Sequence, residues 1–273
     1  MLTFFEIANL SLQFGDLKVD ENFFEKVEQV ERCNQIISNP KCNIGDKSMS
    51  AQMIKAFLDA LYNYTDTIYK RNGRNKRQSA QIAQAYYDLF YTHLSLSAQR
   101  AIAKLDEAYK YINKRYGTWT GEVGNSKFLI SPDAYNIVIP DANSHNNPLQ
   151  KTIGEILGEN QIDGILYKNF EPQFDCVSKA KAVLKGNTFY RYEADVPHHL
   201  KGDEVISVHE RAFLQLAEQH GWTKDEAYKY KEENHLMWHE CWDCETILLI
   251  PVEVHALFGH LGGVSIAKSI LEY

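Results

Sequence analysis

Between Leu236 and Val264 the chain concentrates side chains that bind metal ions and move protons: His239, His255, His260, Cys241, Cys244, Glu240, Asp243, Glu245 and Glu253. Neutral imidazole is a ligand for borderline-soft divalent ions. Three of them make a set that leaves coordination positions open for water and substrate, as catalytic sites require. The bland alternative is three ordinary histidines, each with one hydrogen bond, while Trp238 and Trp242 pack in a core. Cys241-Trp-Asp-Cys244 is a C-x-x-C with no second cysteine pair nearby to close a four-thiolate zinc site and no thioredoxin-like context, so it reads as structural.

The spacing says which elements must bring these groups together. His239 precedes an apolar strand, Ile247 to Ile250, and a helix start follows at Pro251. His255 and His260 are five apart, about 140° out of register on an ideal helix. They converge if the helix ends near Gly259 and the chain turns, which Gly259, Gly262 and Gly263 permit. His239 then approaches from the strand side, so strand, turn and helix clasp one ion.

Upstream, Asp20 to Val30 has the spacing of a short helix, and Cys33 and Cys42 flank a polar segment expected to be a loop, with a disulfide between them disfavoured. Residues 48–117 carry three amphipathic patterns. One is capped at Ser48 or Ser50, one spans 79–94, and one is capped by Ser97 and stopped at Gly117. Together they predict a helical bundle. Lys70 to Arg77 holds five basic residues in eight. This is either a phosphate-contacting patch or, the favoured reading, a cation-rich helix end followed by a solvated turn. Turn residues then break the helical pattern, with candidate strands at 127–130 and 135–139. A short helix is expected at 152–157, strands at 164–167 and 181–184, a helix from Glu204 to Gly221, and a capping box at Thr223-Lys-Asp-Glu226. No internal repeat, low-complexity tract, phosphate-binding glycine loop or Gly-x-Ser-x-Gly elbow is present.

The chain has 273 residues, enough for one large domain or two smaller ones, and 44% of them are apolar, enough for a real core. The five cysteines do not form a disulfide framework. A net charge of −7 argues against a generally basic nucleic-acid binder, so contact with nucleic acid would be local or carried by a metal ion. No apolar run is long enough for a membrane span. The start of the chain lacks the marks of a secretory signal peptide, so synthesis in the cytoplasm is expected, with any export by another route or a fused partner.

Trp238-His239-Glu240, Asp243, Leu249-Ile250-Pro251, His255, His260 and Gly262-Gly263 closely resemble the nuclease family named for its Trp-His-His motif, within the HNH or His-Me finger superfamily. The segments Ile162 to Lys168, Pro172 to Asp175, Arg191 and Ala194-Asp195 are similar to what precedes that motif, so the resemblance covers roughly residues 120–268. It implies an α+β chain, with N-terminal helices (1–119) of unnamed role and a C-terminal ββα-metal nuclease domain (120–273, core 236–268). It further implies a metal-dependent endonuclease acting on DNA in preference to RNA, as a bacterial toxin in competition between cells. Such toxins leave by a specialised secretion system, reach the target cell's cytoplasm and are neutralised by a cognate immunity protein.

His239, His255 and His260 carry over as ligands of a divalent ion (Mg²⁺, Zn²⁺, Mn²⁺ or Ni²⁺), with Asp243 orienting the site and Glu253 assisting. The chain departs from the family at position 240, where Glu stands in place of the second histidine. Position 240 corresponds to the general base, but related families with a His-Glu pair use the histidine, so the roles of His239 and Glu240 stay open. The other reading is a non-catalytic metal-binding or degenerate nuclease module that binds a protein partner.

Overall fold

The computed structural model describes residues 21–112, 115–139, 147–184, 189–191 and 207–271. Two compact units emerge, one of Met1–Leu105 with Ser269–Tyr273, the other of Asp106–Lys268. The class is α+β, with helices leading and two small antiparallel sheets following.

In the first unit, α1 (Glu21–Ser38), α2 (Ile44–Arg71) and α3 (Lys76–Tyr91) precede α4 (Leu96–Tyr111). Helix α1 outruns the expected Val30 because Cys33 and Ile37 continue its apolar face, and both are buried. Cys33 is therefore a helix residue, and neither it nor Cys42 is oxidised. Helix α2 starts earlier than expected, capped by Asn43, whose Oδ1 accepts the Asp46 N–H at 2.8 Å; Ser48 and Ser50 are buried inside it. Helix α3 opens on a capping box of Asn75 and Gln78. Phe23, Phe57 and Phe90 pack ring to ring at 5.5–6.5 Å. Lys70 and Arg71 close the last turn of α2, with Lys70 paired to Asp66, and Lys76 opens α3. Those cations thus sit at helix ends around an exposed turn.

Helix α4 begins after Ser95, whose Oγ accepts the Ala98 N–H, and it ends at Tyr111, well before the predicted stop. Gly117 instead opens β1 (Gly117–Trp119), where a Cβ would lie 2.1 Å from the Leu129 carbonyl oxygen. That glycine is required by strand approach and not by a helix end.

The second unit's first sheet runs β1, β2 (Lys127–Ile130), β3 (Gly164–Lys168), β4 (Glu171–Pro172), each antiparallel to its neighbour. Residues 135–139, expected as a strand, follow a 3-10 turn at Pro132–Ala134 and make one isolated bridge, Val138 to Thr152. Helix α5 (Ile153–Asn160) starts on a capping box between Thr152 and Glu155.

The second sheet has the order β5 (Ala180–Val183), β7 (Thr246–Pro251), β6 (Leu236–Glu240). Strand β7 is central and buried throughout, which is why its sequence is a continuous apolar run. Helices α6 (Val208–His220) and α7 (Lys224–Glu233) lie between β5 and β6 in sequence. Ser207 caps α6, Gly221 ends it in the left-handed region, and Thr223 with Glu226 boxes the start of α7. The predicted helix residues Glu204 to Ile206, and Ala194-Asp195, lie outside the described residues. Helix α8 (Val252–Leu257) leaves β7 directly, and α9 (Gly263–Leu271) closes the chain. Phe128, Ile165, Phe174, Leu248, Ile250, Val254 and Phe258 form the core beneath the hairpin and α8.

Candidate functional site

His239 lies within β6, paired opposite Leu248 of β7. Strand residues alternate faces. Met237, His239 and Cys241 therefore turn toward the core of the unit, while Trp238 and Glu240 turn toward α6. His255 rides on the short α8. His260 follows three residues beyond its end, in the extended stretch that the five-residue spacing demanded. The three rings converge, with centroids 5.7 Å (His239–His255), 4.7 Å (His239–His260) and 4.6 Å (His255–His260) apart.

His239 Nδ1 stands 3.1 Å from His260 Nε2. Two nitrogens on one ion at about 2.0–2.1 Å, subtending a tetrahedral or square angle, lie about 2.9–3.4 Å apart. The distance therefore suits two ligands of one ion. His260 Nδ1 is 2.9 Å from the Phe258 carbonyl oxygen, which can only accept. That bond places the proton on Nδ1 and leaves the Nε2 lone pair facing His239. His239 is fully buried, and its Nε2 has no hydrogen-bond partner among the described residues. A nitrogen ligand of each histidine lies within 4.8 Å of the other two, so the set could hold a metal ion.

Phe174 supplies the apolar wall, its ring 4.8 Å from His239 and 5.5 Å from His260, and stacked at 6.1 Å on His255. Burial pushes the His239 imidazolium well below its ordinary range, and the neighbouring imidazoles add to this. Burial, with His260 beside it, takes His255 down to about 3, and burial lowers His260 as well. All three are neutral at physiological pH, the form that binds metals.

Glu240 is 1% exposed and holds a different constellation. Arg191 grips it bidentately, Nε to Oε1 at 2.9 Å and Nη2 to Oε2 at 3.0 Å, and His209 Nε2 lies 2.9 Å from Oε1. Burial alone would raise this carboxyl, but the hydrogen bonds from His209 and Arg191 outweigh it and hold the group at about 2. Glu240 is thus a fixed anion behind the hairpin. Its oxygen comes within 3.6 Å of where a Cβ on Gly262 would sit, beside the loop that carries His260.

Asp243 is a turn residue. Its Oδ1 accepts the N–H groups of Glu245 (3.0 Å) and Thr246 (2.7 Å), fixing the hairpin that presents His239 and Glu240. Glu253 is buried with Lys151 at 3.5 Å, and no hydrogen bond among the described residues joins it to the histidines. Cys244 is buried, with Sγ 3.6 Å from the carbonyl oxygens of Trp242 and Gly263.

Three groups at the site escape a reading of spacing. His209 opens α6 and Phe174 lies in a 3-10 turn, and neither position has a local periodic signal. Glu171, in β4, accepts the Trp242 N–H at 2.6 Å, and a carboxylate oxygen of it lies within 4.8 Å of His239 and Cys241 ligand atoms. Burial raises Glu171 to about 7, against the lowering effect of the Trp242 N–H and with help from Asp243 and Asp175.

Residues 165–262 match the family model described as the DNase/tRNase domain of colicin-like bacteriocin. No curated protein and no solved structure matches the chain. The matched span takes in Arg191, His209, Glu240 and all three converging histidines. It supports a nuclease toxin domain of bacteriocin type, with nucleic acid as the substrate class. No helix among the described residues is long and apolar enough to cross a membrane.

Proposed function

We propose that this protein is a metal-dependent endonuclease of the Trp-His-His type, within the His-Me finger superfamily. It hydrolyses phosphodiester bonds, in DNA in preference to RNA, and serves as a toxin in competition between bacteria. The carrying observation is the convergence of His239, His255 and His260, from strand, helix and loop, as neutral imidazoles at ligand spacing. The family match over 165–262 supports the nuclease reading independently. An all-imidazole set favours Zn²⁺ or Ni²⁺ over Mg²⁺, which prefers oxygen ligands. When bound, such an ion supplies polarisation of a phosphoryl oxygen and stabilisation of the leaving oxygen.

The residues divide the remaining work. The Phe258 carbonyl fixes the His260 tautomer, Phe174 keeps water from the three rings, and Asp243 holds the turn between the strands. The buried Glu240 pairs with the partly exposed Arg191 beside the site. The N-terminal helices (1–119) are assigned a delivery or linking role, and a cognate immunity protein is the expected inhibitor.

The test is cleavage of supercoiled plasmid, and separately of RNA, with chelator and then with Mg²⁺, Mn²⁺, Ni²⁺ or Zn²⁺. Wild type is expected to nick the plasmid only with metal. His239→Ala and His255→Ala are expected to lose cleavage and the d–d absorption of bound Co²⁺ while keeping the wild-type circular dichroism. Intact plasmid and RNA under every metal, with metal still bound, would leave the non-catalytic module as the function.

A further inference from the structure

The residue at position 240 follows the first metal-site histidine, yet it is poorly suited to take a proton. Three donors occupy its two oxygens, and the arginine fork keeps it ionised. The imidazole that those contacts recruit comes from elsewhere in the fold. We infer that His209 is the proton acceptor of this site, and that Glu240 is its positioning residue, the pair replacing the single base expected at position 240. The inference rests on the nuclease reading of the preceding subsection.

The partner of the Nε2 ring nitrogen fixes the His209 tautomer. An ionised carboxylate only accepts hydrogen bonds. The 2.9 Å contact from His209 Nε2 to Glu240 Oε1 therefore puts the ring proton on Nε2. Nδ1 is then the ring nitrogen left to accept a proton, and no hydrogen bond among the described residues reaches it. A carboxylate that fixes an imidazole's tautomer and stabilises the imidazolium formed on proton uptake is a known device of hydrolytic sites.

Access agrees with this. Glu240 is buried to 2% of its side chain, whereas His209 keeps 28% of its own exposed. The ring opens on a cleft of about 480 Å³ that Arg191, Ser207 and Lys231 also line. Arg191 faces both ways, gripping Glu240 while 42% of its side chain stays accessible. The cleft also holds Glu210 and Glu232, the latter paired with Lys231, so the accessible edge of Arg191 is its cation for a phosphodiester, with the His209 ring beside it.

The step balances without another reactant. Water gives a proton to His209 Nδ1, and its oxygen bonds to phosphorus. The bond from phosphorus to the leaving oxygen breaks, and that oxygen takes the electron pair and a proton from solvent. The imidazolium then returns its proton to solvent.

The full-length chain carries the test. His209→Gln keeps an amide donor for Glu240 but has no base. Plasmid cleavage at pH 7 is expected to fall at least about 100-fold, the usual contribution of a positioned base, with an unchanged Co²⁺ spectrum. His209→Ala is expected to regain at least tenfold activity on addition of imidazole.

Long-range ¹H–¹⁵N spectra of the metal-free protein, which need no activity, are expected to show the Nε2–H tautomer of His209. A His209→Gln protein that cuts within threefold of wild type, a folded His209→Ala that imidazole does not rescue, or an Nδ1–H tautomer would each overturn the assignment while leaving the nuclease reading intact. A wild type that cuts neither DNA nor RNA with any of the four metals overturns both.

Discussion

At the scale of single residues, adjacent positions on one strand have opposite duties because a strand alternates its faces. His239 looks inward to two other imidazoles and Glu240 looks outward to Arg191 and His209. The histidine set was legible in sequence because its members lie 21 residues apart at most, within one strand-turn-helix pattern. The environment of Glu240 was not, since Arg191 and His209 are 49 and 31 residues away and contact between separate elements leaves no periodic mark. Glu171 was missed for the same reason, and it carries a prediction of its own. Its folded value of about 7 lies above the ordinary carboxyl value of 4.5, so the folded state holds a proton that the unfolded state has released. Its contribution is fully present below about pH 4.5 and is lost as pH rises through about 7. In chelator, urea unfolding of Glu171→Gln should match wild type near pH 4.5 and exceed it in stability at pH 8. An equal pH slope in the two proteins would show that Glu171 ionises freely.

Among the elements, the decisive contact is that of the β6–β7 turn with the loop between α8 and α9. The Trp242 indole N–H donates to the Leu261 carbonyl, and Gly263 presses against the Cys241 carbonyl so closely that a Cβ would stand 2.0 Å from its oxygen. The obstacle is backbone, which yields poorly. Gly263→Ala is expected to cost about 1–3 kcal/mol, the range for overpacking, and to weaken Co²⁺ binding, because His260 is carried on the displaced loop. Urea titration and Co²⁺ titration of one preparation check both; an unshifted midpoint would show that the loop gives way freely. Capping signals with a single use are legible in the sequence, as at Thr223 and Gly221. Errors came where a residue type serves two purposes. Ser48 and Ser50 are buried in a helix that Asn43 caps, and Gly117 admits a neighbouring strand and stops nothing.

For the whole molecule, division into two compact units gives metal binding an uneven effect on stability. An ion that binds only the folded site stabilises its own unit by about 2.7 kcal/mol at a hundred times its dissociation constant. Calorimetry of the full chain is expected to show two transitions, of which saturating Zn²⁺ raises one, and none in His239→Ala. One transition that moves as a whole would mean that the units unfold together. The net charge of −7 leaves the chain no general attraction for nucleic acid, so local cations such as the accessible Arg191 must supply it. Cleavage should therefore weaken with salt, and more gently than for a basic nuclease.

The uneven reach of the two constellations also sets an order of assembly. Closing a loop costs more as it lengthens, and distant pairings form late. The imidazole trio needs only the hairpin and α8, whereas the Arg191–Glu240–His209 network needs chain from well upstream to arrive. A refolding molecule should therefore capture Co²⁺ before it can cut. Stopped-flow absorption of the ion is expected to appear ahead of recovered cleavage, because the distant segments that carry Arg191 and His209 dock last.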